Sequence, residues 1–365
     1  MTEQGRGRIP GGGSRSRVRR AVTAVVWTAA VAVLVSGIGL GYVYVKLDNN
    51  LQGVDIDTQL GTDRPKNLGN GSLDVLVLGS DSRSGANAEY GRDEGTARSD
   101  TAMVLHVYRG HRRATVVSIP RDTLITRPDC SDKDGRTVPG ARRVMFNTAY
   151  ETGGPACAVK TVEAMSGIRM DHYIEVDFTG FKKIVDKLGG VEITTSRPID
   201  DDKSHLNLPP GTHTLDGEQA LGLVRTRKSV GDGSDLGRIQ LQQAFVKALI
   251  ERIKDVGVLA GPTKIYGLAE TTTEAITPDS GLDSVNELIG FARGLSHLDA
   301  GDVHMVTLPV RYDTADPNRV VPVERRSAEV WDALRRDLPV PASATEDTAK
   351  GRAGSLVTSG PAGQE

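Results

Sequence analysis

The feature that most constrains this chain is a run of 25 residues, Ala21 to Val45, without one charged side chain. It reads AVTAVVWTAAVAVLVSGIGLGYVYV. About 20 apolar residues cross a bilayer core as a helix, so this run is long enough to span with some tilt. Arg15, Arg17, Arg19 and Arg20 flank its N-terminal side, and Tyr42 and Tyr44 sit near the other end. Basic flanks stay in the cytoplasm, which places residues 1–20 inside and everything after Lys46 outside. A cleaved signal peptide is the competing reading. The run is long for one and no A-x-A site follows it, so the expectation is an uncleaved, single-pass membrane anchor.

Charge is unevenly distributed about this run. The chain of 365 residues carries a formal net charge of −2, yet residues 1–20 hold six Arg and a single Glu. The part beyond the anchor is therefore acidic. A general nucleic-acid binder needs a basic folded domain, so no nucleic-acid partner is expected. The two cysteines, Cys130 and Cys157, both fall in the outer part. An even pair in an oxidising compartment suggests a disulfide, the alternative being two unrelated buried thiols.

Residues 46–72 have Asp, Asn, Gly and Pro interruptions and little periodicity, the mark of a linker. LDVLVLG at 73–79 has the apolar, Val/Leu-rich pattern of a buried strand, and TAMVLHVY (101–108), ATVVSIP (114–120) and MDHYIEVDF (170–178) follow as further strands. A short helix is expected from Pro155 to Met165, another over FKKIVDKLGG, and a long amphipathic one from Asp235 to Asp255. Asp216 and Gln219 have capping-box spacing. Helices at 282–295 and 327–336 flank a strand at 303–310, and the Ala/Ser/Thr/Gly-rich tail from 339 is expected to be disordered. Alternating strands and helices predict one α/β domain over 73–338.

Four polar clusters lie at expected strand ends or loops: Asp81-Ser82-Arg83, Arg98-Ser99-Asp100, Pro120-Arg121-Asp122, and Arg225-Thr226-Arg227 with Asp235 and Arg238. Ligands of α/β sheets gather beyond strand ends. Arg presents a planar fork of donors that matches phosphate oxygens, and Asp supplies the hard oxygens that Mg²⁺ shares with phosphates. Arg238 and Gln242 are one helical turn apart and face the same way. Surface ion pairing explains the same residue types, and both readings stand at this level. The seven His show no metal-ligand spacing, and no G-x-S-x-G, P-loop or H-E-x-x-H motif occurs.

The order of these tracts is more specific than any one of them. LDVLVLGSDSR, ARSDTAMVLHV, VVSIPRDT, MFNTAYETGGPACAVKTVE, LDGEQALGLVRTRK and DLGRIQLQQAF succeed one another over residues 73–255. In this order they resemble the LytR–CpsA–Psr family of single-span membrane proteins. The resemblance implies an extracytoplasmic α/β domain with a central mixed sheet flanked by helices. It implies a phosphotransferase that moves a glycopolymer from a polyprenyl-pyrophosphate carrier to peptidoglycan through a phosphodiester. By the same token Asp81 and Asp100 are expected to hold Mg²⁺ and, with Arg121, to carry the catalysis. Arg98, Arg121, Arg225, Arg227 and Arg238 would bind the pyrophosphate, joined by Lys160 and Gln242. The prenyl tail would occupy an apolar pocket between sheet and helices. Two alternatives are a hydrolase in which water replaces the acceptor, and a non-catalytic lipid-carrier-binding surface regulator. The family's Gln-Gln pair is commonly preceded by Arg, whereas Leu241 stands here, so one cationic contact is expected to be missing.

Overall fold

The computed structural model describes residue 39 and residues 41–80, 99–132, 134–227, 235–256, 262–346 and 357–359. The chain divides into two compact units, residues 1–49 and residues 50–365. In the first unit residues 41–49 are helical. The charge-free run falls for the most part outside the described residues. Among the described residues no helix is long and apolar enough to cross a membrane.

The second unit opens its sheet with β1 (Leu73–Ser80), β2 (Ser99–Val107) and β3 (Ala114–Ile119). Short strands β4 (Leu124–Arg127), β5 (Cys130–Ser131), β6 (Thr137–Val138) and β7 (Ala141–Met145) lead into helix α1 (Asn147–Ser166). Next come β8 (His172–Asp177), α2 (Phe178–Lys187), β9 (Val191–Thr195), β10 (Ile199–Asp201), β11 (Leu206–Leu208) and β12 (Gly211–Leu215). Helices α3 (Gly217–Arg225), α4 (Asp235–Asp255) and α5 (Pro262–Ala275) follow, then β13 (Ile276–Pro278) and α6 (Val285–Leu295). The chain closes with β14 (Val303–Thr307), β15 (Val310–Tyr312), β16 (Val320–Pro322), α7 (Glu324–Arg335) and β17 (Val357–Ser359).

The central sheet has six strands in the order β13-β8-β1-β2-β3-β14. Strands β8 and β14 run parallel to β1 and β3, and the other pairings are antiparallel, so the sheet is mixed as expected. Alternation along the strands gives it two apolar faces. Leu76, Leu78, Ala102, Val104, Val117 and Ile119 meet α1 and α7 through Val159, Val162, Trp331 and Leu334. Met103, Val107, Ala114 and Val116 face Val246 and Ile250 of α4 on the other side. A second core lies behind α4, where Leu241, Phe245 and Leu223 pack on Ile193, Leu215 and Val357.

Local signals act as their chemistry dictates. Asp216 accepts from the Gln219 amide at 2.8 Å while the Gln219 side chain accepts from the Asp216 amide at 3.2 Å, closing the capping box of α3. Helix α1 starts eight residues earlier than expected, and Gly153 (φ −148°) and Gly154 (φ 59°) interrupt it. A Cβ on Gly153 would lie 2.3 Å from the Ser131 carbonyl oxygen. Glycine there lets α1 approach β5, to which the Cys130–Cys157 disulfide ties it.

Two expected boundaries are corrected. Residues 50–72 are packed rather than a free linker: Ile56 and Leu60 enter the main core. Arg64 forks Glu163 with three contacts of 2.7–3.1 Å and donates to the Met170 carbonyl at 2.9 Å. Beyond residue 338, Val340 and Ala344 are also core residues. Val357–Ser359 adds an antiparallel strand to β9. In both segments the apolar residues are too sparse to give a periodic signal, yet each fills a place that the domain leaves open.

Replacing both Cys130 and Cys157 by Ser is expected to lower stability by about 3–4 kcal/mol through the freed loop, measured by urea unfolding without reductant. Glu163→Ala removes the buried partner of the Arg64 guanidinium and leaves it the exposed Asp57 carboxylate and the Met170 carbonyl; it is expected to cost roughly 3 kcal/mol in the same measurement.

Candidate functional site

Because β2 runs antiparallel to β1 and β3, the start of β2 and the ends of its two neighbours share one edge of the sheet. Asp100 lies at that start, and Arg121 and Asp122 follow the end of β3 by two and three residues. The N-terminus of α1 is joined to the same place, since the Asn147 amide donates to the Arg121 carbonyl at 3.2 Å. From the other side arrive Arg227, just past α3, and Asp235, Arg238 and Gln242 on the first two turns of α4.

The side chains converge. Arg121 is hydrogen-bonded to the Asp100 carboxylate, and its Nε lies 3.7 Å from Asp235 and 3.9 Å from Asp122. Arg238 pairs with Asp235 and donates from Nη2 to the Asp100 carbonyl at 3.0 Å. Arg227 Nη2 lies 3.7 Å from the same Asp235 oxygen. Gln242 donates to Thr101 Oγ1 at 2.9 Å and to the Val224 carbonyl at 3.0 Å, stitching α4 to both β2 and α3. Gln243 reaches Ser118 and Thr307 at 3.1 and 3.3 Å. Arg319, from the loop before β16, holds Asp122 at 3.3 Å.

Electrostatics follow from this crowding. Burial, and then the neighbouring Arg238 and Arg121 cations, lower the pKa of Arg227 below the ordinary guanidinium value. Burial and the Asp235 charge raise Asp122, with Arg121 and Arg319 pulling the other way. Burial opposes the charge of Arg121, but Asp100, Asp235 and Asp122 outweigh it and raise its pKa. Among the described residues several buried atoms lack a well-formed hydrogen bond: Nε of Arg121 and of Arg238, both carboxylate oxygens of Asp235 (one of them ion-paired to Arg238), and Oδ1 of Asn147. Buried donors on two guanidinium groups want acceptor oxygens, and a phosphate offers them in matching geometry.

Of the expected site residues, Asp100, Arg121, Arg227, Arg238 and Gln242 are therefore brought together. Asp81 and Arg98 lie outside the described residues. Arg225 ends α3 with its guanidinium 4.8 Å from the Phe178 ring centroid, a cation–π contact at the side of the cluster. Lys160 is half-buried in α1, past the Gly153–Gly154 interruption, and no hydrogen bond or ion pair to the cluster is seen among the described residues. Asp235, Asn147 and Arg319 also stand at the cluster without being among the expected ligands. The Asp235–Arg238 spacing of three was visible in the sequence, but an acidic first turn has an ordinary explanation in the helix dipole. Leu241 is fully buried in the second core.

Among the described residues no group of three or more His, Cys, Asp or Glu is placed to hold a metal. Asp100 is the described half of the expected Mg²⁺ pair, and its hard carboxylate oxygens at the sheet edge have the right chemistry for that ion.

The fold is thus α/β with a mixed sheet, and arginines and aspartates cluster where β2 begins and β3 ends. The chain belongs to the LytR_cpsA_psr family, whose profile matches residues 42–336. The cell wall biosynthesis protein LcpA of Corynebacterium glutamicum is 32% identical, over 91% of this chain and 69% of its own length. The Bacillus subtilis protein TagT, a polyisoprenyl-teichoic acid–peptidoglycan teichoic acid transferase by name, is 33% identical over 66% of this chain and 73% of its own. A solved structure titled as TagT bound to LI-WTA superposes with a TM-score of 0.56 at 28% identity, covering 77% of this chain and 96% of that one. A LytR-Csp2A-Psr enzyme from Actinomyces oris shares the fold at a TM-score of 0.57, covering 86% and 99%. The chain is an enzyme of this family, a transferase.

Leu241→Ala leaves the cluster intact but empties part of the second core. It is expected to cost about 2–5 kcal/mol by chemical denaturation, with little change in anion binding by the folded fraction.

Proposed function

We propose that this chain is a membrane-anchored phosphotransferase acting outside the cytoplasm, which moves a glycopolymer from a polyprenyl-pyrophosphate carrier onto peptidoglycan. The observation that carries the reading is the convergence of Arg121, Arg227 and Arg238, with buried guanidinium donors lacking acceptors. A pyrophosphate supplies oxygens enough for all three. The charge-free run at 21–45, with its basic N-terminal flank, supports the anchor and the outward orientation. The names of TagT and LcpA support cell-wall glycopolymer transfer.

An acceptor hydroxyl of peptidoglycan attacks the glycan-side phosphorus and releases its proton to solvent. A phosphodiester forms there as the bond to polyprenyl phosphate breaks, and polyprenyl phosphate leaves with the electron pair. A loose phosphoryl-transfer transition state depends on position and charge neutralisation, both of which the arginines provide. Arg121 is fixed by Asp100, while Arg238 and Gln242 are fixed by their bonds to β2 and α3. Asp81 and Asp100 would hold Mg²⁺, which would neutralise further phosphate charge. The prenyl tail would run along α4 beyond Gln243. There Leu105, Val246, Ile250, Leu295 and Met305 are apolar yet only partly buried between sheet and helices.

The test is the full-length protein with lipid-linked donor glycan, peptidoglycan and Mg²⁺. Joined polymer is expected, and Arg121→Ala and Arg227→Ala should each lower its formation by a factor of about 100 or more. Near wild-type transfer by either variant would refute the assignment. Release of free glycan phosphate in place of joined product would make the enzyme a hydrolase.

A further inference from the structure

Asp235 occupies an unusual position for a carboxylate. Its side chain is 10% exposed, and three guanidinium groups from three segments point at one of its oxygens. Arg121 and Arg227 both stand 3.7 Å away, within ion-pairing range but too far for a hydrogen bond. Oδ1 carries the ion pair to Arg238, and among the described residues neither buried oxygen has a well-formed hydrogen bond.

The same molecule displays what a structural pair looks like. Arg64 and Glu163 are bonded through a fork at 2.7–3.1 Å, and the remaining Glu163 capacity is used by the Met170 amide at 2.9 Å. There every donor has found its acceptor. Around Asp235 two arginine Nε donors stay empty, and burial with neighbouring cations keeps Arg227 below its ordinary pKa. One carboxylate does not supply the oxygens or the charge that this ring of donors calls for. A metal cation is no better answer at the Asp235 oxygens, because three guanidinium groups already surround them and would repel a divalent ion.

We infer that Asp235 is an internal counter-ion, holding the place of a donor phosphate among Arg121, Arg227 and Arg238 and yielding those arginines when the donor arrives. This rests on the pyrophosphate reading of the cluster and assigns Asp235 a task within it. The carboxylate keeps three like charges together in the free enzyme and competes with the ligand for them. Binding then exchanges one ion-pair set for another, which limits the affinity for both the pyrophosphate donor and the departing polyprenyl phosphate. An enzyme that must let go of an anionic lipid gains turnover from that limit.

The experiment is calorimetric titration of the full-length protein with inorganic pyrophosphate and Mg²⁺, beside steady-state transfer kinetics, for wild type and Asp235→Asn. The asparagine keeps the shape and removes the charge. Tighter pyrophosphate binding by about tenfold is expected, well below the Coulomb limit for a full charge at this distance, and KM and kcat for transfer fall together. A purely structural carboxylate predicts the opposite sign: weaker binding and a raised KM. Binding by wild type with equal or weaker binding by Asp235→Asn overturns the counter-ion role and leaves the donor reading intact. No pyrophosphate binding by either chain overturns both. Should the asparagine variant fail to fold, Asp235→Ser carries the same expected sign and the same overturning outcome.

Discussion

Like charges packed at a poorly solvated sheet edge are the constraint on which the rest of this structure depends. Arg121, Arg227 and Arg238 would repel one another if left alone, and removing them from water adds to the cost. They are tolerated because Asp100, Asp122 and Asp235 are delivered among them from three different segments. That delivery requires β2, β3, α3 and α4 to hold fixed positions at one end of the sheet. The backbone is pinned accordingly, with Arg238 and Gln242 reaching the Asp100 carbonyl, Thr101 and the Val224 carbonyl.

Helix α4 is the hinge between core and chemistry. One side packs on the central sheet through Val246 and Ile250, and another packs into the second core through Leu241 and Phe245. Its first turns carry Asp235, Arg238 and Gln242. Apolar packing on two sides fixes the helix rotation, so the polar stripe has no freedom to turn away from the edge of β2. The C-terminal strand β17 contributes Val357 to that packing, which explains how a tail that reads as polar and featureless becomes part of the support.

Legibility in the sequence follows the range of the interaction. Strand β1 announces itself by a continuous apolar run, α4 by its start at Asp235, and α3 by its capping pair Asp216 and Gln219, because each rests on neighbours a few residues apart. Segments that owe their structure to distant partners do not. Arg64 looks like a linker residue until Glu163, 99 positions away, is seen beneath it. Leu241 shows the same effect at the level of a single residue. Nothing in its neighbours along the chain marks it as a core residue, yet it packs with Phe245 and Leu223 in the second core.

The sequence alone determined the patterning of the chain: a charge-free run with a basic flank, an acidic body beyond it, a cysteine pair, and arginines and aspartates at strand ends. These rest on composition and short-range spacing, which need no partner. Only the tertiary structure decided which of those arginines share one anion. Bringing Arg121, Arg227 and Arg238 around Asp235 depends on antiparallel register and on the rotation of α4, and both are set by burial of surfaces far apart along the chain.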